Sequence, residues 1–309
     1  MGCWAIGGPF HAGAVQAGWG EVDDNESKRA IWKALDMGVT FFDTADVYGA
    51  GHSERILGEA LAGEKQNVVI ATKFGNVFDE ETKEIIGYDA SPAYIKKACD
   101  ASLKRLNREY LDLLQFHINE YENERAPEVR EALEELVTAG KIRGYGWSTD
   151  WPERAAIFAK GPGCTAAQFQ LNVLDDNPGM RELCERENLA AINRGPLAMG
   201  LLTGKYDRAG ITDPNDVRGP NSPDWMKYFV KGKPSNEFLE KVGAIRDILT
   251  ADGRSLVQGA LGWLWARSEA TIPIPGFKSV KQVVENAGAL EKGPLTEDQV
   301  AEIDKLLER

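Results

Sequence analysis

The chain has 309 residues, 43% hydrophobic and 27% charged, which is ordinary for a globular enzyme and long enough for one β/α barrel or two average domains. A net charge of -12 disfavours nucleic acid and anionic membranes as partners, both being polyanions, although local cations can still hold a small anionic ligand. No apolar run approaches a membrane span, the start does not read as a signal peptide, and Cys3, Cys99, Cys164 and Cys184 are scattered with no Cys-x-x-Cys, so a cytoplasmic protein with reduced thiols is expected.

Taken in order, the pattern alternates between strands and helices. After a short segment over residues 1–5 and a Gly-rich loop, residues 25–37 read as a helix with Ile31, Ala34 and Leu35 facing inward. Residues 39–43 read as a strand. Ser53 is expected to cap a helix whose buried side is Ile56, Leu57, Ala60 and Leu61. A strand over 67–73 follows, then a helix opened by Ser91-Pro92 that carries Ile95, Cys99 and Leu103. Residues 111–117 read as a strand, and a helix from Pro127 carries Val129, Leu133 and Leu136 and stops at Gly140.

The second half repeats the rhythm: a strand over 142–148, a helix capped by Asp150 with Glu153, a strand over 166–170, a helix over 180–187 and a strand over 189–193. The polar stretch over 205–234 is longer than compact domains usually leave without a task, which makes it a candidate lid. Helices over 236–250 and 255–267, a strand over 271–274, a helix over 281–289 and a last helix capped by Thr296 complete the chain. About eight β–α units with short links and no break in composition predict a single (β/α)8 TIM barrel domain over residues 1–309. It has a long loop after the seventh strand and a C-terminal helix.

Successive strands of the first half run into polar residues. Phe41-Phe42-Asp43 leads on to Tyr48, Val68-Val69-Ile70-Ala71-Thr72 ends at Lys73, and Leu113-Leu114-Gln115-Phe116 ends at His117. In a parallel barrel such ends open the active-site face. A carboxylate, a phenol, an amine and an imidazole at one mouth form an acid–base constellation. Asp43 can pair with Lys73, the cation is expected to lower the Tyr48 pKa, and His117 can orient a substrate oxygen. Singly, Asp43 and Lys73 read as a buried ion pair, His117 as a core histidine and Tyr48 as uninformative; the combination is what points to chemistry. None of the three histidines, His11, His52 and His117, is spaced for a metal.

Near the end of the chain, Lys278 and Ser279 open a predicted helix, where free N–H groups and the positive dipole end favour a phosphate. Gln282 and Asn286 share one face of that helix and can read an adenine. Alone, Lys278 would be a solvated surface lysine. No G-x-G-x-x-G follows a first strand, so a Rossmann site is not expected. Trp4, Trp225, Tyr228 and Phe229 either line a substrate pocket or pack loops.

At these residues the sequence resembles the aldo-keto reductase superfamily, from Gly2 to the end of the chain, and in particular a bacterial branch with a Gly-Phe-Lys adenosine segment. The resemblance makes Asp43, Tyr48, Lys73 and His117 the catalytic four, with Trp4, Tyr48 and His117 meeting the substrate. It also implies a nicotinamide dinucleotide, NADP(H) with NAD(H) also admitted. Ser148 and Gln168 would hold its carboxamide, and Gly195, Pro196, Leu197, Gly200, Leu202, Gly204 and Lys205 its pyrophosphate. Gly276, Phe277, Lys278, Ser279, Gln282, Glu285 and Asn286 would hold its adenosine end.

Three departures from the family pattern matter. The family usually carries an N-terminal hairpin before the Gly-Cys-Trp segment, so the barrel floor is expected to be thinly covered or the true start to lie upstream. Arg194 stands where an aromatic residue commonly stacks on the nicotinamide; a guanidinium plane can stack there too. Gly276 and Gln282 replace basic residues of some branches, which leaves Lys278 as the main cation and predicts only a modest preference for NADPH. The expected function is reversible reduction of aldehydes or ketones, with Tyr48 as general acid and a small carbonyl or alcohol as the partner. Two other classes stay open: a redox-sensing subunit on this fold with little turnover, and a cofactor-free hydrolase, which would need a metal cluster or nucleophile elbow. Substrate identity and oligomeric state are not legible in the sequence.

Overall fold

A computed structural model describes residues 1–63, 68–206 and 210–309. Among these residues seven parallel strands pair each with the next in chain order: Phe41–Asp43, Val69–Phe74, Leu111–Phe116, Ile142–Ser148, Cys164–Gln170, Ala190–Arg194 and Thr271–Pro273. Residues 1–3 join the two edges. Gly2 donates to Pro275 O at 2.9 Å, Cys3 donates to Asp43 O at 2.8 Å, and Asp43 donates to Met1 O at 2.9 Å. Gly2 thereby bridges in parallel to both Gly276 and Asp43. Only glycine fits, because a Cβ on Gly2 would lie 2.6 Å from Ile274 O. The predicted barrel is present, with its first strand reduced to this stub and the long loop following the seventh.

Strand alternation makes the barrel interior layered. Phe41, Ala71, Leu113, Ala166 and Ile192 form an apolar plug. Two residues further along the same strands come Asp43, Lys73, Gln115, Gln168 and Arg194, and Ser148 ends the strand between. The same side-chain period that builds the plug therefore sets a polar layer directly above it, at the C-terminal mouth. Outside the barrel, Phe116, Trp147 and Phe158 pack with ring centroids 4.8–6.2 Å apart between strands and helices. Full burial of such rings stabilises by about 1.5–3 kcal/mol each. The strands that carry the polar layer are thus held from both sides.

Most helix boundaries fall within a residue or two of the reading, and several caps are those expected. Ser91 accepts from Tyr94 N, and Thr296 with Gln299 forms a capping box. Two caps differ. The helix His52–Ala60 starts from Gly51, and the Ser53 hydroxyl instead donates to Cys3 O at 2.8 Å and meets Thr44 Oγ1 at 2.9 Å, pinning the first-strand stub. Asp150 does not cap Pro152–Ala159, whose N-cap is Trp151; its carboxylate accepts from Gln170 N at 2.8 Å and pairs with Arg194. A cation in reach outcompetes a helix N–H for a carboxylate.

Among the described residues, three two-stranded hairpins escaped the sequence reading: His11–Ala12 with Val15–Gln16, Asn76–Phe78 with Ile85–Tyr88, and Phe229–Val230 with Lys233–Pro234. The first two meet where His11 N donates to Lys83 O at 3.1 Å. The candidate lid is strapped to the Gly-rich loop, Val217 donating to Gly18 O at 2.7 Å and Gly20 to Asn215 O at 3.1 Å. Asn67, the first residue of one expected strand, and residues 207–209 of the lid lie outside the described residues. Among the described residues no helix is long and apolar enough to cross a membrane.

Candidate active site

Lys73 organises the mouth. Its side chain is fully buried, and Nζ donates to Asp43 Oδ1 at 2.5 Å, Thr44 O at 2.7 Å and Tyr48 OH at 3.3 Å. Burial works against its charge, yet Asp43 and Tyr48 outweigh that and hold the amine above its ordinary value. Asp43 Oδ2 accepts from two buried amides, Gln168 Nε2 at 2.7 Å and Gln115 Nε2 at 3.1 Å. The carboxylate is thus bound on both oxygens.

Tyr48 lies between this ion pair and the open cleft. Its ring stacks on Trp4 with centroids 5.9 Å apart and meets His117 edge-on at 5.8 Å. Lys73 does pull the phenol pKa down, as expected, but burial is the larger influence and holds it above its ordinary value, so the expectation of a lowered Tyr48 pKa is corrected. Tyr48 therefore keeps its proton throughout the neutral range. Burial first, then Lys73 and Arg194, holds the His117 imidazole well below its ordinary value, so the ring is neutral near pH 7. Its Nδ1 is buried without a hydrogen-bond partner among the described residues.

The mouth opens into a cleft of about 1650 Å³, larger than the roughly 300–1,000 Å³ of a pocket for one drug-sized ligand. Asp43, Tyr48, His117 and Trp4 line it together with Ser148, Gln168 and Arg194. So do Gly195, Pro196, Leu197, Gly200 and Lys205, and Gly276, Phe277, Lys278, Ser279, Gln282 and Glu285. Three expected cofactor residues are elsewhere. Leu202 is fully buried in the helix-layer core, Gly204 ends the short helix Ala198–Thr203 at positive φ, and Asn286 is buried with its amide donating to Gly276 O at 3.1 Å. Gln282 also serves the helix start, its Oε1 accepting from Lys278 N at 2.6 Å.

Arg194 is bound sideways, to Asp150 and, at 3.4 Å, to Gln170 Oε1. Lys278 spans the cleft wall, donating to Trp19 O at 2.9 Å and Glu21 O at 2.8 Å, and burial lowers its amine below the ordinary value. Beside it stands a cation the sequence reading missed. Arg218 of the lid is buried, forks onto Asp216 at 2.7 and 2.9 Å, donates to Met199 O at 3.0 Å and stacks on Trp19 at 4.4 Å. A Cβ on Gly200, which sits at φ 92°, would come within 3.0 Å of that guanidinium. Of the lid aromatics, Trp225 and Tyr228 line the cleft, whereas Phe229 is buried against Tyr206.

Gln115 was missed as well, although a signal existed. Positions 113, 115 and 117 share a strand face, so the residue two before His117 had to lie one layer beneath it. Arg218 had no such signal, being one arginine in an aperiodic segment.

A parallel barrel whose mouth joins a buried Lys–Asp pair, a phenol and a neutral imidazole to a large cleft has the groups that proton transfer to a bound molecule requires. The chain belongs to the aldo/keto reductase family, whose model matches residues 10–308. It is 33% identical over 308 residues to the aldo-keto reductase yakc of Schizosaccharomyces pombe, whose name carries NADP(+); the match covers 97% of this chain and 87% of that protein. The glycerol dehydrogenase AKR11B4 from Gluconobacter oxydans superposes with a TM-score of 0.82 at 31% identity, covering 100% of this chain and 90% of that one. An aldo-keto reductase from Klebsiella pneumoniae, in complex with NADPH, superposes with a TM-score of 0.69 at 25% identity, covering 99% and 89%.

Proposed function

We propose that this aldo-keto reductase reduces aldehyde or ketone groups of small molecules, reversibly, with NADPH as the preferred cofactor and Tyr48 as the proton donor. The observation that carries the reading is the single amine of Lys73 bonded at once to Asp43, Thr44 O and Tyr48 OH at the base of the cleft. A cation fixed against a phenol stabilises the phenolate left after proton transfer, and its own position is fixed by the carboxylate behind it. Neutral His117, facing Tyr48, can donate one ring N–H to the carbonyl oxygen without competing as a strong acid. Trp4 walls the approach, so the carbonyl meets Tyr48 in a partly dehydrated space.

The cleft fits a dinucleotide in size and in chemistry. Ser148 and Gln168 are within the wall, residues 195–200 contribute lining, and Lys205, Arg218, Lys278 and Ser279 supply donors. The bound cofactor supplies the hydride; these residues bind and aim it. The wall there carries acids too, Asp213, Asp216 and Glu285, so a 2′-phosphate gains less than the cations alone suggest and the preference for NADPH stays modest.

The reading takes residues 1–309 as one catalytic domain acting in the cytoplasm. Burial pushes the thiols of Cys3, Cys99, Cys164 and Cys184 up to about 12, so none is a ready nucleophile beside Tyr48. NADPH consumption measured against a panel of aliphatic, aromatic and sugar aldehydes and ketones tests it. Turnover with members of the panel is expected, and cofactor binding without turnover of any of them would favour a sensing role instead.

A further inference from the structure

The catalytic carboxylate is held from below by groups that the acid–base chemistry of the mouth does not itself use. Asp43 is 2% exposed, and Gln115 and Gln168 are as deeply buried. A carboxylate only accepts hydrogen bonds, so both amides must turn their NH2 groups toward Oδ2, which fixes their orientation. Gln115 Oε1 is then left to accept from Gln168 Nε2, at 3.2 Å. One residue thus does two things. It supplies the second donor to Asp43 Oδ2, and it holds the Gln168 amide with its carbonyl turned away from the carboxylate.

We propose that Gln115 is a positioning residue for the reaction: acting through Asp43 and Gln168, it keeps Lys73 aimed at Tyr48 OH. The inference rests on the proposed role of Tyr48. Gln115 sits on the strand Leu111–Phe116, paired directly with Lys73 across the ladder, so its place is set by two rigid strands. Without it, Asp43 Oδ2 keeps one amide, and that amide belongs to Gln168, which also lines the cleft and is exposed to demands from whatever binds there. The carboxylate can then rotate, and the short Lys73–Asp43 contact that orients the amine is no longer fixed. Tyr48 would lose its cation in a fraction of molecules.

Two substitutions separate this role from mere packing. Gln115→Met keeps the length and apolar stem but has no amide. It is expected to lower kcat about ten- to a hundredfold, the loss typical of one bond to a charged group, while the NADPH dissociation constant from tryptophan quenching stays within about threefold of the parent. Gln115→Glu is isosteric and carries its own control. At low pH the introduced carboxyl holds a proton and can donate to Asp43 as the amide does. As pH rises it must ionise against Asp43, at a pKa raised by the like charge.

Activity of Gln115→Glu should therefore be near the parent's in acid and fall through an added ionisation that the parent lacks. The cofactor-free protein gives the matching readout. A carboxyl whose pKa is raised by folding loses stability as pH climbs above its unfolded value of about 4.3, so the melting-temperature gap between Gln115→Glu and parent should widen with pH. Parent-like kcat in Gln115→Met, together with a parent-like pH profile in Gln115→Glu, would overturn the proposal. A Gln115→Met protein too unstable to assay leaves the decision to Gln115→Glu in acid. Tyr48→Phe, run alongside, separates the two layers: if it stays active the general-acid reading has failed, whereas a silent Tyr48→Phe with unaffected Gln115 variants overturns only the present inference.

Discussion

Two charge clusters line the cleft and are built differently. Lys73 and Asp43 are buried, sit on barrel strands and satisfy each other with short bonds reinforced by Gln115, Gln168 and Thr44 O. Lys278 and Arg218 sit on segments outside the barrel strands, answer partly to backbone carbonyls, and share the wall with Asp213 and Asp216. A buried, fully bonded pair on rigid strands tolerates no missing partner, because the group left behind stays charged in a low-dielectric site. Lys278 is only part-buried and bonds to two backbone carbonyls, so its loss strands no partner charge, whereas Arg218 is buried on Asp216 and shares the constraint of the Lys73–Asp43 pair.

The sharpest break in this contrast is Lys73→Met. It leaves Asp43 buried and unpaired, which typically costs about 3–5 kcal/mol of stability, and it removes the cation beside the phenol. Carbonyl reduction should fall by about a hundred- to ten-thousandfold, read as kcat on protein shown to be folded at the assay temperature by its melting curve. Parent-like turnover would remove Lys73 from the mechanism.

Lys278→Ala should act on the second cluster, and by less. One charge-assisted bond is worth roughly 1.5–3 kcal/mol, or about ten- to a hundredfold in affinity, and the acids beside Lys278 place the expected loss at the low end. Titrating NADPH and NADH into parent and variant by protein fluorescence should show NADPH weakened and NADH nearly unchanged, bringing the two dissociation constants together. Arg218→Ala extends the test: if the two cations share the role, it weakens NADPH in the same direction. Equal affinity for both cofactors in the parent would refute the phosphate-site reading of Lys278.

How much of this was readable beforehand follows the same divide. Strands announce themselves by alternation, so Asp43, Lys73 and His117 could be placed at one mouth, and Gln115 could have been. The caps at Ser53 and Asp150 were misread because a local sequence pattern cannot reveal a tertiary partner: Ser53 found Cys3 O, and Asp150 found Arg194. The hairpins were missed because strands of two to four residues carry no usable period. Arg218 and its Asp216 belong to the aperiodic lid, where only three-dimensional closure brings a side chain to the cleft. Direction of the Tyr48 shift was wrong for a related reason. The neighbouring cation is visible in sequence, but the depth of burial that outweighs it is not.

Smaller effects are expected from Arg194, which stands between the two regimes, partly exposed yet tied to Asp150. Its guanidinium is one of the charges that depress the His117 pKa, behind burial and Lys73. In the parent, reduction should show no inflection near the ordinary histidine value of about 6.5, because the ring gains its proton only well below it. The stability sign is the same: a histidine held neutral by the fold contributes stability above pH 6.5 that is lost as pH falls toward its folded value. Arg194→Ala should move the acid limb of the kcat profile upward and weaken cofactor binding a few-fold. An unchanged acid limb and an unchanged cofactor titration together would mean that Arg194 serves only Asp150.

The most direct test of the central claim is Tyr48→Phe, assayed for NADPH titration and for reduction of an aldehyde that the parent turns over. A cofactor dissociation constant within a few-fold of the parent is expected, with kcat lowered by about a hundred- to ten-thousandfold, since the variant keeps the cleft and loses only the hydroxyl that Lys73 touches. Turnover at the parent rate would contradict it, and the proton would have to come from elsewhere in the mouth.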